Sequence, residues 1–343
     1  MQLSNLVRIR SATLALLLIL GTCLMPKAGV AQVRITIGSA AVAPRSIPLW
    51  IAQEEGLFRK YGIEARFVLF RGAPTLVASL VSGYIDLGLT GGGTVLGAAA
   101  GGMNLKIVAA TSNRLTPDLI ARPQIKKPEE LRGKRVGVQS IGGGVWMFTM
   151  LGLESLGLDP KRDNIQINVI GDSVLIGEAL ETGTIDAAFL DGALSRKLRR
   201  KGFSVLAELS RGNIPFINQG AIVSQAYLQQ HPDLIEKVMT GVVEGIAFSL
   251  AANNKQNVLR IMSKYLKVKD PMVAEEGYQD YLHSVERKPY PSIEAVSNAQ
   301  RIMKILNPQV GQVKAEDLIE ARFIRKLDES GFIDHLYKGY GEK

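Results

Sequence analysis

Arg45 and Arg71 are the side chains in this sequence best placed to recognise a small anion. Each follows a predicted β-strand, and a guanidinium presents a planar fork of donors that fits two oxygens at once. Other polar groups recur in the same setting. The segments Ser39–Ser46, Arg71–Thr75, Thr90–Thr94, Ser140–Val145, Gly171–Ser173 and Asp191–Gly192 all lie where a predicted strand gives way to a loop or helix. In open α/β sheets ligands sit beyond the carboxyl ends of the strands, where helix N-termini offer unpaired N–H groups and partial positive charge. The candidate binding residues are therefore Ser39, Arg45, Ser46, Arg71, Gly72, Thr90, Gly91, Thr94, Ser140, Gly143, Trp146, Ser173 and Asp191. Each also has a plainer role. Arginines can be solvated, hydroxyls can cap helices, Trp146 and Trp50 can pack in a core, and glycines can serve turns.

Other chemistries find little support. Gly91-x-Gly93-x-x-Leu96 lacks the third glycine of a dinucleotide fingerprint, and Gly133-Lys134 runs into Arg135 and a strand where a phosphate loop needs Ser or Thr and a helix. His231, His283 and His335 are scattered, so neither a zinc site nor a Ser-His-Asp triad is expected. No cofactor, no metal and no catalytic group are assigned. The strongest charge run, Arg196–Lys201, has no interleaved aromatic residue and ends a predicted helix, where cations suit the dipole. It reads as a solvated face, with docking to a permease or an anionic membrane surface as the lesser alternative and nucleic acid set aside.

The elements that must position these residues alternate strand and helix. Val33–Gly38 alternates apolar and polar residues as a strand does; Ser46 is a candidate cap for a helix through Trp50 to Glu55. Strand Ile63–Phe70, helix Thr75–Ser82 and strand Ile85–Leu89 follow, which predicts an α/β fold with a largely parallel sheet. Leu80-x-x-Gly83-x-Ile85-Asp86 then recurs as Leu180-x-x-Gly183-x-Ile185-Asp186, and Asp86 and Asp186 are expected to brace the helix-to-strand turn. The second unit opens at Leu131–Val138. It continues with helix Val145–Leu156, strand Ile165–Ile170, helix Ser173–Thr182, strand Ala187–Leu190 and helix Ala193–Lys201. A strand near Gly220–Val223 precedes a helical remainder, in which Leu234, Ile235, Val238, Met239, Val242, Val243, Ile246 and Leu250 form one apolar face. Two lobes joined by crossovers near residues 113–118 and 214–219 are expected.

Composition agrees with an exported globular chain. Of 343 residues 46% are hydrophobic and 21% charged, with a formal net charge of +9. Residues 1–31 hold Arg8, Arg10 and Lys27 but no acid, so the remainder carries +6. That mild surplus suits small anions and falls short of a nucleic-acid surface. Arg8 and Arg10, the apolar run Leu14–Leu20, and small residues Gly29 and Ala31 before Gln32 predict a cleavable secretory leader over residues 1–31. An uncleaved anchor or lipidation at Cys23 are the lesser readings. Cys23 is the sole cysteine, so cleavage would leave no thiol.

Gly56-Leu57-Phe58-Arg59-Lys60-Tyr61-Gly62-Ile63-Glu64 resembles a segment of the sulfonate-, nitrate- and taurine-type solute-binding proteins of ABC importers, a superfamily that includes binding proteins for thiamine pyrimidine precursors. The paired Gly-x-Ile-Asp segments, Leu131–Val138 and Tyr227-Leu228-x-x-His231-Pro232-Asp233-Leu234 extend the resemblance over nearly all of residues 32–343. It implies a two-lobed periplasmic-binding-protein fold of the Venus-flytrap type II class, with two crossovers and a helical C-terminal region. The implied organisation is a first lobe segment at 32–115, a second lobe at 116–218, and a return strand with C-terminal helices at 219–343. The implied function is capture of a small organic anion between the lobes by hinge closure. The implied partners are an ABC permease and its ATPase, the implied place is the periplasm, and a monomer is expected. The alternatives are an enzyme on the same fold, such as a pyrimidine synthase, and a ligand-binding subunit of a sensor. The eukaryotic synthases carry a cysteine-rich segment that residues 32–343 lack.

Overall fold

Ile35 and Ile37 point into the core from Val33–Ser39 (β1), the first of ten strands among the described residues. The computed structural model describes residues 32–341 apart from 41 and 71, so the leader at 1–31 and the candidate Arg71 lie outside the described residues. After β1 come a single 3-10 turn, Pro44–Ser46, and helices α1 (Ile47–Glu54) and α2 (Leu57–Lys60). Next are β2 (Ile63–Leu69), α3 (Ala73–Val81), β3 (Leu87–Thr90), α4 (Gly92–Ala100) and β4 (Leu105–Arg114). The second half holds β5 (Asp118–Ala121), β6 (Arg135–Val138), α5 (Gly144–Ser155), β7 (Gln166–Val169), α6 (Ser173–Thr182), β8 (Ala187–Leu190), α7 (Gly192–Arg200) and β9 (Ser204–Glu208). The chain then returns through β10 (Pro215–Ser224) to α8 (Gln225–Gln230), α9 (Pro232–Leu250), α10 (Lys255–Leu266), α11 (Pro271–Ser284), α12 (Ile293–Met303), α13 (Arg322–Glu329) and α14 (Phe332–Gly339).

Two five-stranded sheets result, ordered β2-β1-β3-β10-β4 and β7-β6-β8-β5-β9. They share one plan. A first strand (β1 or β6) lies between its two parallel successors, and a strand antiparallel to the third follows it in the sheet. The chain passes from the first sheet to the second between Arg114 and Asp118 and comes back between Glu208 and Pro215. β10 thus starts earlier than the strand expected near 220–223, and β4, β5 and β9 carry no strand expectation from sequence.

Three apolar clusters hold the layers. In one, the α9 stripe of Ile235, Val238, Met239, Val242, Val243 and Ile246 covers Ile35 and Ile37 of β1 together with α1. Each such side chain, moved from water, contributes about 1.5–3 kcal/mol. Helix α9 comes so close to α1 that a Cβ at Gly245 would meet the Pro48 carbonyl, which only glycine avoids. A second cluster runs from Val95 and Ile217 through Ile302 of α12 to Trp146, Leu151 and Val136, so α12 ties the two sheets together. The third, Ile120, Ile176, Leu180, Ile185 and Leu198, covers the far side of the second sheet. The Gly56–Glu64 segment forms α2 and its turn. There Lys60 Nζ donates to both oxygens of buried Glu244 at 2.7 and 2.8 Å, Tyr61 OH donates at 2.5 Å and Tyr340 OH at 3.0 Å. Among the described residues no helix is long and apolar enough to cross a membrane.

Candidate functional site

The parallel strands of the first sheet end at Ser39, Leu69 and Thr90, and those of the second at Val138, Val169 and Leu190. These ends meet. At Gly93, in the first turn of α4, a Cβ would lie 2.6 Å from Met147 Cε in the first turn of α5, so the loops after β3 and β6 touch across the two lobes. The loops after β1 and β8 meet as well. Helix α11, packed in the first-lobe core through Ala274, Tyr278 and Tyr281, sets Gly277 against Pro44 and Asp280 against Gly192, one turn apart on the same helix. The next residues along, Arg45 and Asp191, are thereby brought to the same side of α11, near one another.

Asp191 is exposed and Arg45 is half-buried, and each lies within the other's electrostatic reach. Desolvation there lowers the pKa of the Arg45 guanidinium, with Asp191 opposing the shift. Desolvation also raises the pKa of the Asp191 carboxyl; Arg45 opposes this and Asp280 adds to it. The Arg45 turn is held from behind. Buried Gln219 on β10 donates through Nε2 to the Arg45 carbonyl and to Ser46 Oγ, both at 3.2 Å.

The remaining candidates fall into four groups. Ser39, Thr90, Gly91 and Thr94 stand together, because Ser39 pairs with Leu89 across β1 and β3 and Thr90 Oγ1 donates to Thr94 Oγ1 at 3.2 Å. Ser140 is exposed, and its Oγ lies 2.5 Å from where a Cβ on Gly143 would be, so the α5 entry needs glycine there. Gly72 and Ser173 follow the edge strands β2 and β7 and mark the outer end of the row. Two candidates take the plainer role. Ser46 is buried, bonded to Gln219, and makes no capping bond, so it supports Arg45 from inside. Trp146 is buried in the cluster that joins the sheets, and Trp50 stacks on Tyr265 at 4.8 Å between centroids.

The basic run proves largely neutralised. Arg196 pairs with Asp280 at 2.5 and 2.7 Å and with Glu276 at 3.0 Å; Arg200 pairs with Glu276 at 2.6 Å, and Lys201 with Glu181 at 2.7 Å. The first three contacts cross between α7 in the second lobe and α11 on the first. Sequence reading missed Gln219, Glu276 and Asp280. A signal for the last two existed, since acids four apart on one helix match arginines four apart on another.

The chain matches the NMT1/THI5 like family over residues 43–255, more than half its length. A Brucella abortus chain named as a binding protein is 28% identical over 222 residues, which is 64% of this chain and 67% of that one. Among solved structures, the periplasmic aliphatic sulphonate binding protein SsuA of Escherichia coli superposes with a TM-score of 0.68 at 19% identity, over 84% of this chain and 92% of its own. The periplasmic nitrate-binding protein NrtA of Synechocystis PCC 6803 gives 0.67 at 14% identity, over 87% and 89%. The chain belongs to the NMT1/THI5 like family and has the two-lobed α/β fold of periplasmic binding proteins.

Proposed function

We propose that residues 32–343 act, without catalysis, as the extracytoplasmic solute receptor of an ABC importer, exported by the 1–31 leader into the periplasm as a monomer. The solute is a small organic anion held between the lobes. Arg45, Thr90 and, by its position after β2, Arg71 contact it from one side; Ser140, Ser173 and Asp191 contact it from the other. Only the closed arrangement makes both sets of contacts, so ligand shifts the population toward closure, which the permease reads as the loaded state. The observation that carries this reading is the convergence of strand ends from two matched sheets, with Gly93 against Met147, and Pro44 and Gly192 against one helix.

An organic body is favoured over a bare inorganic ion by the apolar side chains left exposed at the same ends. Val42 and Leu69 lie after β1 and on β2; Ile141, Val169, Val174 and Leu175 lie in the matching segments of the other lobe. Such a set rewards an apolar moiety.

A thermal-shift screen of alkyl and aryl sulfonates, carboxylates, nitrate and cationic amines on residues 32–343 tests the proposal, because a ligand that binds the folded state raises its apparent stability. Organic anions should raise the melting temperature of the wild type and fail to do so in Arg45→Ala. A shift by amines and none by anions overturns it.

A further inference from the structure

Gln219 is a buried amide in an apolar strand. Its neighbours on β10, Phe216, Ile217, Ala221, Ile222 and Val223, are buried and hydrophobic, and Gln219 itself is only 4% exposed. An amide there is costly unless its polar atoms are paired, and an apolar side chain would fill the same space without that cost. The pairing it makes is with a distant part of the chain. Nε2 donates to the Arg45 carbonyl and to Ser46 Oγ, both at 3.2 Å.

The strand is shaped for this contact. The register between β4 and β10 shifts between Pro215 and Gln219 and again between Gln219 and Gly220, so irregular pairing flanks this one residue. Such shifts bend a strand and re-aim a side chain. Thr111 Oγ1 donates to the Gln219 carbonyl at 3.4 Å. Ser112 stands opposite Gln219, two residues before β4 ends at Arg114 and the chain crosses to the second lobe. Gln219 therefore sits where the outgoing and returning strands lie side by side. The turn it grips closes on itself by local bonds, from Ser46 N to the Ala43 carbonyl at 2.9 Å and from Ile47 N to the Pro44 carbonyl. The Gln219 amide ties that turn to the sheet, and so fixes the backbone from which the Arg45 side chain starts.

We propose that Gln219 is a positioning residue for anion recognition. It touches no solute and acts by holding the backbone of Arg45, so that the guanidinium meets the anion already oriented. A preorganised group binds more tightly because less ordering remains to be done when the ligand arrives. This rests on the receptor reading above and adds the residue on which its Arg45 contact depends.

Titration calorimetry with propane-1-sulfonate, butyrate and benzoate on residues 32–343 tests it. Gln219→Met keeps the length of the side chain and removes its donors. With a melting temperature showing it folded, it should bind the anion that the wild type binds best at least fivefold more weakly. Gln219→Leu serves in its place should the Met variant not fold. Ile222→Val, which only loosens packing on the same strand, should stay within twofold of the wild type. The Arg45 Nε–H signal in NMR, assigned by its loss in Arg45→Ala, should move on adding that anion, and at saturation should move less than half as far in Gln219→Met. Binding by Gln219→Met within twofold of the wild type overturns this inference and leaves the receptor reading standing. So does an equal loss in Ile222→Val, or an Arg45 signal that moves as far in the variant. Failure of every probe to bind the wild type overturns both.

Discussion

Asp86 and Asp186 hold corresponding positions in opposite lobes. The Asp86 carboxylate accepts the Thr36 N–H at 2.7 Å, and its own N–H donates to the Thr36 carbonyl at 2.9 Å. Asp186 does the same to Arg135, at 3.0 and 2.8 Å. One residue earlier, Ile85 and Ile185 fill the space that a Cβ on Gly38 or Gly137 would need. The internal echo seen in the sequence is thus a repeated device, clamping the first strand of each sheet to the entry of its third.

The device predicts a packing penalty. Gly137→Ala should destabilise the chain by about 1–3 kcal/mol, because the new methyl collides with the Ile185 side chain. Ile185→Val in the same chain should recover part of the loss, with a coupling of at least about 0.5 kcal/mol in a double-mutant cycle read by urea unfolding. Additive effects would show that the contact does not decide the site.

Asp186 also predicts a pH dependence. The Arg135 guanidinium holds its carboxyl below the usual carboxylate range, with partial burial acting the other way. A folded pKa below the unfolded value means that the unfolded chain takes up the proton more readily. The stabilisation is therefore complete above about pH 5, and is lost as pH falls through about 4 toward the folded value. Asp186→Asn should be less stable at neutral pH and lose less on acidification, seen as a flatter plot of urea midpoint against pH. Equal slopes would remove Asp186 from the account.

The parallel strands and their helices were legible because apolar runs bounded by glycine recur at matching offsets, as in Gly83-x-Ile85-Asp86 and Gly183-x-Ile185-Asp186. The strands β4, β5 and β9 were not. β4 owes its place to β10, as in Ile107 beside Ile222, a partner far along the chain that no local pattern announces. Arg45 and Asp191 could be chosen from their strand-end positions. That they come near one another could not be read, because the helix that gathers their neighbours, α11, comes much later. Ser46 misled because a Ser before a helical run usually caps it, whereas here Gln219 takes up its hydroxyl. The basic run misled because its neutralising acids, Glu276 and Asp280, lie on another lobe.

The buried Glu244 carboxylate predicts a fold-wide effect. It gathers Lys60, Tyr61 and Tyr340, which join α2, α9 and the C-terminal turn after α14. Glu244→Ala should cost about 1–3 kcal/mol, since it leaves two half-buried hydroxyls without their acceptor and an ammonium without its partner. Tyr340→Phe should cost about 1 kcal/mol. Urea denaturation checks both, and a near-neutral Glu244→Ala would contradict the clamp.

The ionic contacts between α7 and α11 predict a latch. Arg196→Gln breaks the pairs with Asp280 and Glu276 that bridge the lobes. The ligand-free variant should scatter X-rays with a larger radius of gyration than the wild type. Anion affinity should fall by up to about tenfold, because more closing free energy must come from the ligand. An unchanged radius would show that these pairs do not hold the lobes together.

Leu69 and Val169 end the edge strands of the two sheets at matching positions, 60% and 57% exposed. They allow closure to be measured directly. With residues 1–31 removed no native thiol remains, so Leu69→Cys and Val169→Cys can carry a pair of spin labels without interference. Pulsed dipolar spectroscopy should show the distance between them shorten and its spread narrow when propane-1-sulfonate, or whichever anion raises the melting temperature most, is added to saturation. The same additions to Arg45→Ala should leave the distribution unchanged. A wild-type distribution identical with and without saturating anion would contradict closure over a solute as the working motion of this protein.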